Sequence, residues 1–175
     1  MLTEVSNRQL ALVPDLPYRW PVMHVGTAAG KLDLSCDQVL RLIERGAFWA
    51  WDVGSPRSKL RELRLLSHSV NAVSPARARE LLADEMALCS PAPASLDDAI
   101  EIILEAATAG YPPRDHLSGP QIRRALAIGR SHLITLIEHG ALTLVPGTSY
   151  RPGPGGHPLI TRSSVELFLR DRITD

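Results

Sequence analysis

The sequence predicts a mainly α-helical protein with small β-hairpins, in which one structural unit occurs twice. Residues 40–48 return ninety-four positions later as residues 134–142, with five of the nine positions identical and the other apolar positions still apolar. The similarity extends on both sides, pairing 34–39 with 128–133 and, after a one-residue gap, 65–70 with 160–165. Because similarity at a fixed offset is the signature of a duplicated unit, we expect both segments to share one fold.

The repeat divides the chain of 175 residues into four parts. We predict an N-terminal arm over 1–23, a first repeat over 24–73, a helical acidic linker over 74–113 and a second repeat over 114–175. The arm contains three prolines, at positions where they interrupt regular structure.

In the first repeat, the predicted order of elements is helix, turn, helix, hairpin and helix. The first two helices are predicted over 27–32 and 36–45, the two strands of the hairpin over 48–53 and 62–66, and the last helix over 68–73. Ser35 can cap the second helix, and Gly46 suits the left-handed conformation that often follows a helix. Val39, Leu42 and Ile43 recur at the spacing of one helical face, so this helix is expected to pack on a core.

The linker contains two helical segments and most of the acidic excess. Ser74 and Ser95 are suitable N-caps for these two helices. Residues 77–105 include two basic and seven acidic side chains, whereas 24–70 has a balance of +2 and 114–163 a balance of +4. The formal net charge of the chain is zero. Two mildly basic lobes therefore place a local basic face on a neutral protein.

The second repeat is predicted to follow the same order of elements. Its segments are 121–126, 130–139, 142–145 paired with 157–160 across a long loop over 146–156, and 164–172. Ser118 and Pro120 mark the start of the first helix, Gly140 ends the second, and Ser163 can cap the last.

Cysteine usage and the N-terminus bear on the compartment. Cys36 and Cys89 show no paired metal-ligand spacing and fit a reducing cytosol better than a disulfide framework. The N-terminus lacks a basic segment followed by an apolar core, so no signal peptide is predicted. The apolar runs are far shorter than a membrane span. We therefore expect a cytoplasmic protein that does not enter a membrane.

The order of elements in each repeat resembles the winged helix-turn-helix of MerR-type regulators and phage excisionases, including AlpA-like proteins. It consists of a short helix, a tight turn, a second helix with a Leu-Ile-Glu-x-Gly-x-apolar end, a hairpin and a final helix. The residues that carry the resemblance are Val39, Leu42, Ile43, Gly46 and Phe48, and Leu133, Leu136, Ile137, Gly140 and Leu142. It implies two tandem winged helix-turn-helix domains joined by a helical linker. It also implies a nucleoid-associated protein that binds double-stranded DNA sequence-specifically, as a transcriptional regulator or an excisionase-like recombination directionality factor.

The resemblance also implies which residues contact DNA, because in this family the second helix enters the major groove and the hairpin wing follows the backbone or minor groove. In the second repeat these are Arg130, Ser131, His132 and Thr135 on the helix, Tyr150, Arg151 and His157 in or beside the wing, and Arg123 and Arg124 towards phosphates. In the first repeat they are Gln38 and Arg41 on the helix, and Arg57, Lys59, Arg61 and Arg64 in the wing. Two such helices could engage successive major-groove faces about 34 Å apart.

Both repeats depart from the family pattern at the start of the second helix. Gly129 stands where Ser or Thr usually caps the helix, and Cys36 stands where a basic residue often follows the cap. Gln38 could bond an adenine, but Asp37 would face phosphates unfavourably unless it caps its own helix. We therefore expect the second repeat to recognise bases better than the first.

The sequence indicates no enzyme, metal or cofactor. None of the six histidines has an acidic or thiol partner at ligand spacing, and the glycine-rich loop at 153–156 lacks the following Lys-Ser or Lys-Thr of a phosphate-binding loop. Ser131 and His132 are neighbours on a helix and point in different directions, unlike a nucleophile and its base. Trp49 and Trp51 alternate along a strand, which favours core or interface packing over stacking on bases.

A second hypothesis belongs to another class. The zero net charge and the acidic linker are compatible with a non-enzymatic adaptor that keeps the winged-helix fold for protein interaction, forms a homodimer and does not bind DNA. Binding to duplex DNA at low salt distinguishes the two hypotheses.

Overall fold

A computed structural model describes residues 20–109, 114–149 and 158–174. Within these ranges the chain forms eight helices and two small antiparallel sheets, so the prediction of a mainly α-helical protein with small β-hairpins is confirmed. The elements in chain order are β1 (Val22–His24), α1 (Val25–Leu32), α2 (Cys36–Glu44), β2 (Ala50–Asp52), β3 (Leu63–Leu66), α3 (Ser67–Asn71), α4 (Pro75–Ala83), α5 (Leu96–Ala107), β4 (His116–Ser118), α6 (Gly119–Leu126), α7 (Arg130–Glu138), β5 (Leu159–Thr161) and α8 (Arg162–Asp171). None of these helices has the length and apolar character needed to cross a bilayer.

The first repeat contains a strand that the sequence did not reveal. β1 pairs with β3, with Val22 opposite Leu66 and Met23 opposite Leu65, and β2 pairs with the other edge of β3. Val22 and Met23 are buried, so the sheet begins two residues before the predicted start of this repeat. A strand of three residues is too short to show an alternating pattern, which is why it was missed.

The second repeat has the order of elements of the first, but its sheet has two strands in the described residues, and the predicted strand over 142–145 is reduced to one β-bridge between Leu144 and Ile160. β4 and α6 stand before α7 as β1 and α1 stand before α2. The left-handed residue that ends the first helix is Asp33 (φ 54°) in one repeat and Ala127 (φ 49°) in the other. Gly46 (φ 73°) and Gly140 (φ 72°) end the second helices in the same way. All three relationships preserve the offset seen in the sequence, so the similarity reflects a duplicated structure.

The two linker helices pack on the repeats. Ala78 and Leu81 of α4 belong to the core of the first repeat, where they join residues of α2 such as Leu42. Ile103 and Leu104 of α5 belong to the core of the second repeat. Each linker helix is therefore a packed part of a repeat, and its acidic side chains lie on the outer surface.

The two repeats also share a core and a backbone ladder. Trp51 is fully buried in the same hydrophobic cluster as Leu117 of the second repeat, which confirms that this indole packs inside the protein. Trp51 also forms a β-bridge with Ile173, and the backbone N–H of Thr174 donates to the carbonyl oxygen of Ala50 at 2.8 Å. The indole Nε1 of Trp49 donates to the carbonyl oxygen of Pro93. The repeats consequently hold one another in a fixed orientation.

Candidate nucleic-acid interface

Helix α7 begins with two exposed polar residues above a buried face. Leu133 and Leu136 are buried in the core, whereas Arg130 and Ser131 are exposed at the first turn. The N-cap is Gly129, which supplies no side-chain acceptor, and the first turn contains no acidic residue. A cationic side chain and a hydroxyl are thus presented to solvent at one end of the helix.

Thr135 lies one turn further along α7 and is half-buried. Its hydroxyl donates to the backbone carbonyl oxygen of Ser131 at 3.0 Å. The Thr135 hydroxyl proton is therefore already used within the helix, and the side chain is better placed for apolar contact than for donation to a ligand.

Helix α6 adds two exposed guanidinium groups beside α7. Arg123 and Arg124 lie in the last turn of α6, where a positive charge is favoured by the helix dipole. Arg124 also lines a groove of about 360 Å³ together with Arg114 and His116, and none of the described residues that line it is acidic. Within the described ranges, none of the ion pairs involves Arg114, Arg123, Arg124 or Arg130.

Many other arginines are neutralised by neighbours. Arg79 pairs with Asp33 at 3.0 Å, and Arg162 pairs with Glu101 at 2.7 Å. The guanidinium of Arg45 donates to backbone carbonyl oxygens, among them that of Leu81. These three arginines are consequently less available to an anionic ligand than Arg123, Arg124 and Arg130.

The structure corrects the prediction for Arg64, which lies in β3 with 6% of its surface exposed. Its Nε and Nη2 donate to the carbonyl oxygen of Ala127 at 3.2 and 3.1 Å, and its Nη1 donates to the carbonyl oxygen of Leu63. Burial lowers the pKa of Arg64, and the nearby carboxylate of Glu62 raises it in part. Arg64 therefore joins the two repeats and is not available to DNA.

The structure also corrects the prediction for His132. Its side chain is 15% exposed, and its Nδ1 lies 3.6 Å from Oε2 of Glu62 in the first repeat. Its Nε2 is buried without a hydrogen-bond partner in the described part of the chain. The hairpin of the first repeat covers this side of α7, so His132 does not face a base.

Gln38 is used as part of a helix cap, contrary to the predicted adenine contact. Its Oε1 accepts from the backbone N–H of Ser35 at 2.9 Å, while Oγ of Ser35 accepts from the backbone N–H of Gln38 at 3.2 Å. The Ser-x-x-Gln spacing is the signature of this capping box, so the sequence did contain the signal.

The rest of the exposed face of α2 is mainly acidic. Asp37, Arg41 and Glu44 are exposed and share this face at helical spacing, so the one predicted DNA contact lies between two carboxylates. Cys36 precedes them and is exposed. This face has a net charge of −1, which is unfavourable next to a phosphate backbone.

The hairpin loop of the first repeat, residues 54–61 between β2 and β3, is named the first wing. Arg57, Lys59 and Arg61 are exposed on it, and Leu60 between the last two is 79% exposed. Nε of Arg57 donates to Nε2 of His139 at 2.9 Å. The first wing therefore contacts the residue that directly follows α7.

Both ends of the first wing are fixed by one carboxylate. Oδ1 of Asp52 accepts from the backbone N–H of Gly54 at 2.9 Å and from that of Glu62 at 3.0 Å. Oδ2 of Asp52 lies 3.7 Å from Nε of Arg61, whose side chain remains 67% exposed. The base of the loop is thus held closed while its cations stay in solvent.

Three predicted contacts of the second wing, Tyr150, Arg151 and His157, lie outside the described residues. In the part of the chain that the structure describes, no three His, Cys, Asp or Glu side chains come together as a metal site.

Comparison with known proteins gives no match to a family model, to a curated protein or to a solved structure.

Proposed function

We propose that this chain binds double-stranded DNA without catalysing a reaction, and that it does so as two tandem winged helix-turn-helix domains. The observation that carries the proposal is the group of exposed arginines on α6 and α7, namely Arg123, Arg124 and Arg130, none of which has an ion-pair partner among the described residues. Exposed cations that protein carboxylates do not neutralise are available to phosphates and base edges.

The proposed roles follow from position. Arg130 and Ser131 lie at the first turn of α7, the part of a recognition helix that usually contacts base edges. Arg is the commonest partner of guanine in the major groove. Arg123 and Arg124 lie on the preceding helix, which in this geometry crosses the backbone, and they would contact phosphates.

The biological role proposed with this activity is transcriptional regulation or control of excision by a recombinase. Both require binding to a defined site rather than chemistry, and both are compatible with a cytoplasmic, nucleoid-associated protein. The family resemblance in residues 34–48 and 128–142 is the support for this finer assignment.

Fluorescence anisotropy with the full chain and a labelled mixed-sequence duplex tests DNA binding directly. We expect binding at low salt that weakens as salt rises, with a slope near −0.9 in log–log form for each phosphate contact. Selection of bound sites from random duplexes then gives the preferred sequence. On the selected site, Arg130→Ala should cost on the order of 1–3 kcal/mol and relax preference at one base position. Absence of binding at the lowest salt would refute the proposal.

A second candidate function is a dimerising adaptor, and one observation favours it. Met86 and Leu88, in the segment between α4 and α5, are 88% and 95% exposed. Large apolar side chains exposed close together in the sequence are a place where a second protein surface can pack. Light scattering of the full chain and of the Met86→Ser/Leu88→Ser variant would detect such a dimer, which is supported if only the unaltered chain has twice the monomer mass.

A further inference from the structure

We infer that the first wing and α7 form one composite DNA-binding surface, so that the hairpin of the first repeat serves the recognition helix of the second. The inference rests on the proposed function, because it specifies how the same duplex is held. It also assigns α2, the corresponding helix of the first repeat, a packing role outside the DNA interface.

The contacts between the repeats place the β2–β3 hairpin along α7, with β3 near the start of the helix and the first wing near its end. Arg64, just after the wing, bonds Ala127 before the helix, and Glu62 lies 3.6 Å from His132 in its first turn. Arg57 bonds His139 directly after the helix. Residues 132 and 139 are seven positions apart, which is two helical turns, so they lie on one side of α7.

The bond between Arg57 and His139 has a defined geometry. Nδ1 of His139 lies 2.8 Å from the carbonyl oxygen of Thr135, and Nε2 lies 2.9 Å from Nε of Arg57. Both contacts are satisfied by a neutral imidazole with its proton on Nδ1, which donates to the carbonyl while Nε2 accepts. The wing is therefore attached to the end of α7 through a specific bond.

A polar stripe of α7, exposed at Ser131 and Glu138 and half-buried at Thr135, lies next to the side of the helix that the hairpin contacts. Ser131, Thr135 and Glu138 share one helical face, because they have the i, i+4 and i+7 spacing. This face is rotated by about 100°, the angle of one residue, from the face that contains His132 and His139. A duplex that receives this stripe in its major groove would place its flanking backbone near the wing. Glu138 is the one acidic member of the stripe, and it lies at the end away from Arg130.

The composition of the first wing suits that position. Residues 57–61 contain three cations and no carboxylate, and Lys59 has no ion pair within the described ranges. The exposed Leu60 sits between Lys59 and Arg61. Cations with an apolar side chain at a loop tip are the combination that contacts backbone and minor groove in DNA-binding proteins.

Helix α2 lacks what the same positions of α7 provide. Asp37 occupies the position of Ser131, and Cys36 occupies that of Arg130. Gln38 is committed to the capping box. We therefore expect each chain to protect one continuous segment of duplex and not two major-groove faces one helical turn apart.

The test uses the full chain, a labelled mixed-sequence duplex and three single variants, two of which each remove one exposed cation of the first repeat. Lys59→Ala should weaken binding several-fold and reduce the salt slope by about 0.9, because one phosphate contact is lost. Arg41→Ala on α2 is the matched control and should change neither quantity. Leu60→Ser keeps the charge and should weaken binding without changing the slope. Thermal unfolding of each variant verifies that the fold is intact.

The outcomes separate this inference from the proposed function. If Arg130→Ala weakens binding while Lys59→Ala does not, or if Arg41→Ala weakens it as much as Lys59→Ala, the composite surface is wrong and DNA binding stands. If the unaltered chain binds no duplex, both fail. Hydroxyl-radical footprinting on a selected site supplies a second readout, since two protected segments one turn apart for each bound chain would overturn the inference.

Discussion

Arg64 of the first repeat donates two guanidinium hydrogen bonds to the carbonyl oxygen of Ala127, which lies in the turn that leads into α7. Ala127 has the left-handed conformation (φ 49°), and its carbonyl oxygen faces the neighbouring repeat, where it accepts from Arg64. A buried guanidinium thus holds the turn of one repeat against the sheet of the other. The orientation of α7 relative to the first wing depends on this contact.

Removal of this contact should destabilise the whole protein. We expect Arg64→Ala to lower the free energy of unfolding by about 2–3 kcal/mol, because the variant loses charge-assisted hydrogen bonds and leaves the partly buried carbonyl oxygen of Ala127 without its donor. Urea unfolding followed by circular dichroism measures the change. Arg61→Ala is the control, since that side chain is 67% exposed, and should stay within about 0.5 kcal/mol of the unaltered chain. Equal effects of the two substitutions would contradict the assigned role of Arg64.

The stability should also depend on pH through His24. Partial burial, and then the positive charge of Arg64, lower the pKa of His24, whereas Glu62 raises it in part. The unfolded chain therefore binds a proton more readily than the folded chain, so stability is lost as pH falls through the ordinary histidine range near 6.5 and is unaffected well above it. Unfolding in urea at about pH 7.5 and pH 5.5 should show this loss.

His24→Gln isolates this effect from other titrating groups. The variant should lose less stability than the unaltered chain between the same two pH values, because its side chain takes up no proton on unfolding. If both proteins lose the same stability over this range, His24 does not contribute to the pH dependence.

Substitution of Gln38 tests whether this side chain caps α2 or contacts a base. Gln38→Ala removes the acceptor for the Ser35 backbone N–H, so we expect a loss of about 0.5–1 kcal/mol in unfolding free energy, because the capping box loses one of its two hydrogen bonds. DNA affinity and base preference should not change. Denaturant unfolding and anisotropy on one preparation measure both quantities. Unchanged stability together with relaxed preference at one base would instead restore the adenine contact predicted from the sequence.

The features that the sequence predicted are local or repeated. Ser35, Gly46 and Gly140 act within a few residues of the helix ends that they define. The duplication helps further, because the same spacing of apolar residues and helix ends occurs in two segments of the sequence. The tertiary contacts that decide the interface are different in kind. The hydrogen bonds from Arg64 to Ala127 span 63 residues and join a side chain to a backbone carbonyl. No sequence motif indicates a contact of this kind, because any residue supplies a backbone carbonyl.

The same distinction explains the errors among the predicted DNA contacts. His132 and Arg64 occupy the positions of DNA contacts within a single repeat, but the sequence of one repeat does not reveal which of its faces the other repeat covers. Gln38 was different, because Ser35 three positions earlier already formed the capping-box pattern with it. In that case the local signal was present and favoured the structural role over the base contact.

The two glycines that flank α7 should respond to substitution in opposite directions. Gly129 has an extended N-cap conformation (φ −76°, ψ 167°), and a Cβ there would meet no atom within 4 Å. Gly129→Ser should therefore stabilise the protein by about 0.5–1 kcal/mol, through a new cap and a less flexible unfolded chain. Gly140 has a φ of +72°, so Gly140→Ala should cost about 1–2 kcal/mol although space is available for the methyl group.

Thermal and urea unfolding of both glycine variants measure these changes, and Gly129→Ala separates the two contributions. It shares the loss of unfolded-state freedom with Gly129→Ser but provides no hydroxyl to accept from the first N–H groups of α7, so it should fall below the serine variant. If Gly129→Ser lowered stability, or if Gly140→Ala raised it, the cap conformations assigned to the two ends of α7 would be wrong.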